Sequence, residues 1–421
     1  MPSSCPELAS ATAEIAARSK PWRLPQRAAF PLLAAVLFAF FFAAAAPSPL
    51  FVVFQHAWHF SSSLLTVAFA VYAIALLVSL LIAGSLSDHI GRRPVVLAAL
   101  VLQAVAMGLF LLANGIGGLI AARVVQGIAT GVASGALSAA VVEAAPAARK
   151  RLGAMITSVS PLAGLALGAL LTGVAVKFSV QPVMLVFGVL AAVFALGAAV
   201  VLWMPETVTP RAGALASLVP RVSIPAQARA EFARGLPVFV VVWALGGLYL
   251  SLAPSLMLHV FGIDNGVVNG LTVAVLSGMG AIAPTLLARF AAPKPVILGM
   301  ASIAAGLVLL LASLATRSLA LFFVGTAVAG LGFGGAFSAL VQTLAPMAQS
   351  HERGELFAAI FVVSYLAFSL PAMLAGFLVA PLGLLNTTEG YAAVLLLIAA
   401  FGVWNQWAGL RRRSRELPAS E

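Results

Sequence analysis

Charge is scarce in this chain. Only 8% of its 421 residues are Asp, Glu, Lys or Arg, whereas about a quarter are charged in an ordinary soluble domain. The deficit falls hardest on acids, twelve against twenty-three Lys and Arg. The apolar run 29–53 has none, and no acid lies near the centre of any apolar run. Asp264 and Glu389 fall at one set of run ends, and Glu143, Glu352 and Glu355 at the other. A lipophilic cation inside the membrane would therefore meet no obvious countercharge. Cysteine is nearly absent: Cys5 alone allows no intrachain disulfide and no cysteine-based metal site. There is no Gly-x-x-x-x-Gly-Lys phosphate loop, which argues against an ATP-driven pump. No catalytic Ser-His-Asp set and no metal-ligand cluster stand out, so we expect no enzyme, no metal and no cofactor.

What the chain has in abundance is apolar length. Hydrophobic residues make up 62% of it, and a spanning helix needs about 20 predominantly apolar residues. Twelve such segments fall near 29–53, 64–86, 95–114, 118–142, 153–176 and 182–203, then 237–260, 267–288, 295–314, 319–344, 355–380 and 390–409. The expected organisation is a polar tail (1–28), a six-helix bundle (29–204), a polar linker (205–236), a second six-helix bundle (237–410) and a basic tail (411–421). The net charge of +11 is spread between apolar runs, so it suits anionic headgroups and topology, and nucleic acid is not an expected partner. A basic stretch, an apolar run and Ala44-Ala-Ala46 also resemble a signal peptide with its cleavage site. The long tail and the many later segments favour an uncleaved first helix.

Lys and Arg set the orientation. With the N-terminus inside, the inner loops and tails receive Arg18, Lys20, Arg23, Arg27, Arg92, Arg93, Arg149, Lys150, Arg151 and the cations of the linker and C-terminal tail. The outer loops keep only Lys177 and Arg317, so both termini are expected in the cytoplasm. The two bundles also repeat. Gly135-Ala-Leu-Ser-Ala139 before Ala145-Pro146 recurs as Gly335-Ala-Phe-Ser-Ala339 before Ala345-Pro346, and Pro94-Val-Val-Leu97 as Pro295-Val-Ile-Leu298. A same-sense repeat implies parallel halves related by an axis along the membrane normal.

The densest early cluster of charge is Gly84-Ser-Leu-Ser-Asp88-His-Ile-Gly91-Arg92-Arg93-Pro94, between the second and third runs. Gly84 allows close helix approach, Gly91 a tight turn, and Pro94 starts the third helix where no donor is needed. The pattern resembles the loop between the second and third helices of the major facilitator superfamily of secondary transporters. Further likenesses are Leu119-Ile-Ala-Ala-Arg123-Val-Val-Gln126-Gly127 to that family's fourth-helix motif, and Ser158-Val-Ser-Pro161-Leu-Ala-Gly164, followed by Gly168, to the fifth-helix motif of its drug:proton antiporters. Ser160 and Leu165 depart from the fifth-helix pattern, where glycines are usual. Phe368-Ser-Leu-Pro371-Ala-Met-Leu-Ala-Gly376 is its pseudo-symmetric counterpart, and Pro-Glu206-Thr is a common ending of the sixth helix.

The resemblance implies twelve transmembrane helices, alternating access and a bacterial inner-membrane location, with lipids and a small-molecule substrate as partners and a monomer as the working unit. It makes Asp88, Arg92, Arg93 and Glu143 a gate. Asp88 would face the start of the eleventh helix near His351-Glu-Arg-Gly354, stabilise the outward-facing state and let go when the inner gate opens. The competing reading is solvated charges that fix topology, since exposed pairs contribute only about 0–1 kcal/mol. The resemblance also links Arg123 to proton coupling. An arginine held structurally by Gln126 and backbone carbonyls is the alternative, and exposed His56 and His59 are further coupling candidates. Pro161, Gly164, Gly168, Pro371 and Gly376 are expected hinges in helices five and eleven. Phe54, Trp243, Tyr249, Gln342 and Tyr365 are expected to line the substrate cavity, although membrane aromatics also serve as packing or interface anchors. The reading this favours is proton-driven efflux of small neutral or anionic amphiphiles. Uptake or facilitated exchange of a small metabolite is the alternative.

Overall fold

The computed structural model describes residues 26–146, 150–204, 206–287, 289–290, 293–349 and 351–416. Cys5, Arg18, Lys20, Arg23, Arg149, Pro205 and residues 417–421 lie outside the described residues, as do the side chains of Arg27, Arg412, Arg413 and Arg415. Among the described residues there is no strand, and twelve helices are long and apolar enough to cross a bilayer. In chain order they are α1 (Ala28–Trp58), α2 (Ser62–Ala83), α3 (Arg92–Leu112), α4 (Ile116–Ala144), α5 (Lys150–Phe178) and α6 (Pro182–Val201). The second six are α7 (Arg229–Ser251), α8 (Gly266–Leu287), α9 (Lys294–Thr316), α10 (Leu319–Leu344), α11 (Arg353–Leu382) and α12 (Leu384–Glu416). At about 1.5 Å rise per residue, twenty residues cover a hydrocarbon core of about 30 Å.

Local chemistry explains several ends. Ser61 and Ser318 cap α2 and α10, their hydroxyls accepting from the Leu64 and Leu321 amides at 3.4 Å. Pro182 opens α6, where its missing N–H costs nothing. Inside α1 the helix is broken into Gln26–Ala45 and Pro47–Trp58. Pro47 brings no amide hydrogen, so the Ala43 carbonyl loses the donor it would otherwise have.

Among the boundaries that differ from the sequence reading, three have a clear local cause. Helix α3 begins at Arg92, so Pro94 is its third residue. Helix α7 begins at Arg229, directly after a 3-10 turn at Ala226–Ala228, and carries a buried Glu231 paired with Arg234 at 3.3 Å. The linker is shorter accordingly. Helix α12 begins at Leu384, because Thr387 and Thr388 turn their hydroxyls onto the Gly383 and Leu384 carbonyls at 2.7 and 2.8 Å and let polar residues stay helical.

α1–α6 build most of one apolar core, which Leu250, Val273, Tyr365, Phe368 and Ala372 of the second half join, and α7–α12 build another. The halves join where α5 runs against α8 and α2 against α11. We call the side that carries residues 84–94 and the linker the basic face, and the opposite side the far face. In an up-and-down bundle, the C-terminal ends of α5 and α11 and the N-terminal ends of α2 and α8 lie toward the far face.

Candidate functional site: the gate loop, a buried arginine and the seam between halves

At the basic face, the first turn of α3 offers amide hydrogens that no preceding carbonyl can accept. Glu206, just past α6, takes two of them: Oε1 accepts from the Arg92 amide at 2.7 Å and Oε2 from the Arg93 amide at 3.0 Å. Gly91 holds φ at 107°, and a side chain there would run into that carboxylate. Arg92 then spreads its guanidinium over Asp88 at 2.5 Å, Ser87 Oγ at 2.6 Å and Glu143 at 3.3 Å. Thr207 donates to the other Glu143 oxygen at 2.8 Å, and Arg93 donates to the Leu202 carbonyl. The linker lies along the same loop, with the Arg211 amide on the His89 carbonyl at 2.8 Å and Ser85 Oγ on the Ser217 carbonyl at 3.0 Å.

The residues expected to form a gate are therefore together, but the partner of Asp88 is different from the one expected. Asp88 pairs with Arg92 of its own half, and its side chain stays 56% exposed. The expectation that it lies beside α11 does not describe this conformation. The reason is geometric: the halves close at the far face, and Arg92 is the nearest cation to Asp88. In this conformation the Asp88–Arg92–Glu143 set is intact and the far-face seam is formed. Glu206 and Thr207 were missed as members of this network. The sequence signal was a helix start at Gly91-Arg-Arg-Pro with no capping side chain of its own.

The second feature is Arg123, only 2% exposed, in the first third of α4. Its Nη1 donates to Gln126 Oε1 at 2.7 Å and to the Ala44 carbonyl at 3.4 Å, and its Nε to the Ala68 carbonyl at 3.4 Å. Gln126 Nε2 in turn donates at 2.8 Å to the Ala43 carbonyl, the one orphaned by Pro47. The guanidinium lies 4.1 Å from the centre of the Tyr72 ring and 6.0 Å from that of Phe51. No ion pair to a carboxylate joins it among the described residues. A buried cation costs several kcal/mol. Here hydrogen bonds from a charged donor, each contributing about 1.5–3 kcal/mol, and a desolvated cation–π contact of about 2 kcal/mol offset it without an acid. The charge ties the broken α1 to α2 and α4.

The third feature is the seam at the far face. Backbone meets backbone at Gly173 of α5 and Gly266 and Gly270 of α8, where any side chain would collide with the opposing main chain. Ser63 of α2 donates to the Gly376 carbonyl of α11 at 2.9 Å, and a side chain on Gly376 would strike Thr66. Ser48 of α1 donates to the Leu250 carbonyl of α7 at 2.8 Å. Among the described residues these two are the side-chain hydrogen bonds that link the bundles directly. Phe69 of α2 and Phe368 of α11 meet at 4.8 Å. Gly376, expected as a hinge, is thus a contact point between halves. Gly164 and Gly168 likewise sit against the backbone of α1 at Phe38 and Phe42. Pro161 and Pro371 lie inside continuous helices.

The expected cavity residues separate into two groups. Trp243 and Tyr365 stand together where the halves meet, ring centres 4.7 Å apart, and Gln342 is exposed with its amide on Ser338 at 2.9 Å. Phe54 and Tyr249 do not line a cavity. Phe54 is buried and stacked on Trp58 at 4.8 Å, and Tyr249 is buried within the second core, its hydroxyl 2.8 Å from that of Thr326. Both are packing residues, as apolar rings at helical spacing usually are. His56 and His59 are exposed at the far end of α1, where His59 adopts φ 51° and closes the helix.

Two six-helix bundles joined at one face, the first holding a buried polar centre, define a polytopic membrane transporter. The model of the Major Facilitator Superfamily matches residues 33–372, and the chain belongs to that family. It is a transporter and not an enzyme. Among solved structures it is similar to the human organic anion transporter MFSD10, at 17% identity and TM-score 0.63, covering 90% of this chain and all of that one. A POT family transporter in complex with 5-aminolevulinic acid matches at 14% identity and TM-score 0.70, covering 90% of this chain and 96% of that one. A bacterial homolog of the human lysosomal transporter Spinster, inward-facing and unoccupied, matches at 14% and 0.72, covering 93% and 98%. These likenesses are of fold. A comparison with curated proteins returns no match.

Proposed function

We propose that this chain exports small amphiphilic compounds, neutral or anionic, across a bacterial inner membrane in exchange for protons. It works as a monomer, with the basic face and both termini in the cytoplasm. With the far-face seam formed, the present conformation is then inward-facing. In the opposite state the α2–α3 loop would approach the start of α11 and close the basic side. The observation that carries this reading is Arg123: a fully buried cation beside Tyr72, with no carboxylate partner among the described residues. Such a centre repels a lipophilic cation and tolerates a neutral or anionic cargo.

Uptake or facilitated exchange is the second reading. It is favoured by the lack of any acid in the middle of a span among the described residues, which leaves no ordinary carboxylate proton carrier. The experiment is counterflow in proteoliposomes and transport in inverted vesicles, with and without a pH gradient. Stimulation by acid inside the inverted vesicles is the expected result. Exchange indifferent to pH would overturn antiport in favour of the second reading.

A further inference from the structure

Trp243 of α7 stands in the middle of a ring cluster. Its indole lies 4.7 Å from Tyr365, 5.7 Å from Phe337 and 5.8 Å from Phe368, mostly edge to face, and Phe361 follows at 6.1 Å from Tyr365. The wall draws on α7, α10 and α11 and packs against both apolar cores. Phe368 reaches across to Phe69 of α2 and closes the cluster toward the far face. Rings near the middle of their helices, at the junction of two repeats, are where a carried solute is held.

What sets this wall apart is its hydrogen-bonding deficit. The Trp243 indole Nε1 is shielded from solvent and has no partner, although a buried tryptophan N–H ordinarily finds one. Ser364, next to Tyr365 and fully buried, also has an unpartnered hydroxyl. In the same helix Ser369 turns its hydroxyl onto the Tyr365 carbonyl at 2.7 Å. A donor held among π faces asks for a ligand that stacks and also brings an acceptor oxygen. Charge narrows the choice further. Phe69 and Tyr72 lie three residues apart on one face of α2, and the Arg123 guanidinium lies 4.1 Å from the Tyr72 ring centre. No acid sits mid-span among the described residues to balance a cation.

We propose that the wall of Trp243, Tyr365, Phe337 and Phe368 binds a planar aromatic substrate whose acceptor oxygen, carboxylate or phenolic, takes the Trp243 N–H. This rests on the transport reading, since it names the class of solute that is carried. The test measures binding by calorimetry, without a pH gradient, on the full-length chain in lipid nanodiscs. It can therefore fail while efflux stands, or stand while efflux fails. The probes are 2-naphthoate, 2-naphthol, naphthalene, saturated decahydro-2-naphthoate and trimethyl(2-naphthyl)ammonium. We expect 2-naphthoate and 2-naphthol to bind, the saturated acid about tenfold more weakly, and the ammonium most weakly. Trp243→Phe keeps a ring and removes the donor. It should weaken 2-naphthoate and 2-naphthol about tenfold and leave naphthalene unchanged. The proposal is overturned if no aromatic probe binds, if the ammonium binds as well as the naphthoate, or if Trp243→Phe weakens all probes alike or none. The probe series on the unaltered protein decides the matter even where the variant folds poorly.

Discussion

Arg123 sits where a charge should be costly, and its neighbours explain why it is tolerated. Replacing it with Ala removes the donor to Gln126 Oε1 and to the Ala44 and Ala68 carbonyls. Each buried acceptor left bare costs about 1–3 kcal/mol, so the Arg123→Ala melt should fall clearly and counterflow should be lost. Intact transport in that variant would leave Arg123 a structural strut only. Gln126→Leu tests the strut separately. It strands the Ala43 carbonyl and should cost about 1–3 kcal/mol by thermal unfolding in detergent; an unchanged melt would mean that the Pro47 break needs no outside donor. Arg123 and Gln126 were legible in the sequence because a cation inside an apolar run is conspicuous. Their partner was not, since a carbonyl orphaned by Pro47 carries no residue-type signature. Glu206 was hidden for a related reason: its ligands are backbone amides 114 and 113 residues away.

Hydropathy and repetition made the helices themselves legible, and their ends less so. The starts of α7 and α12 moved because Thr, Glu and Arg can continue a helix when their polar groups find carbonyls or each other. Glycine was ambiguous in the same way. Gly376 was read as a flexible point in α11 and proves to be where α2 touches it, because sequence alone cannot tell freedom from crowding. Gly173→Val should therefore wedge α5 from α8, shifting the population toward an open far face and raising the reactivity of a cysteine placed at Ser63; unchanged reactivity would mean that the seam is not the closure. At the other end, Glu206→Ala strips the cap from α3, a loss of about 0.5–2 kcal/mol. It should also free the linker, seen as faster tryptic cleavage at Arg211. Equal cleavage rates would show that the linker is held by the His89 and Ser217 contacts alone.

For the molecule as a whole, two like bundles make one closed seam and a gate loop whose ion pairs stay within the first bundle. The twofold plan was visible in the repeated Gly-Ala-x-Ser-Ala segments. The conformation was not legible, because one sequence must satisfy both states of an alternating-access cycle. Alternating access requires the two faces to open in turn about the midplane. Spin labels at Lys177 of α5 and at Asp264, just before α8, report the far face, and labels at Met155 and Leu286 report the basic ends of α5 and α8, in a Cys5→Ser background. Pulsed-dipolar distances should show the far pair close and the basic pair apart at rest. A pH gradient or bound 2-naphthoate should lengthen the first and shorten the second together. Distances that never change, or that lengthen at both faces at once, would contradict the account.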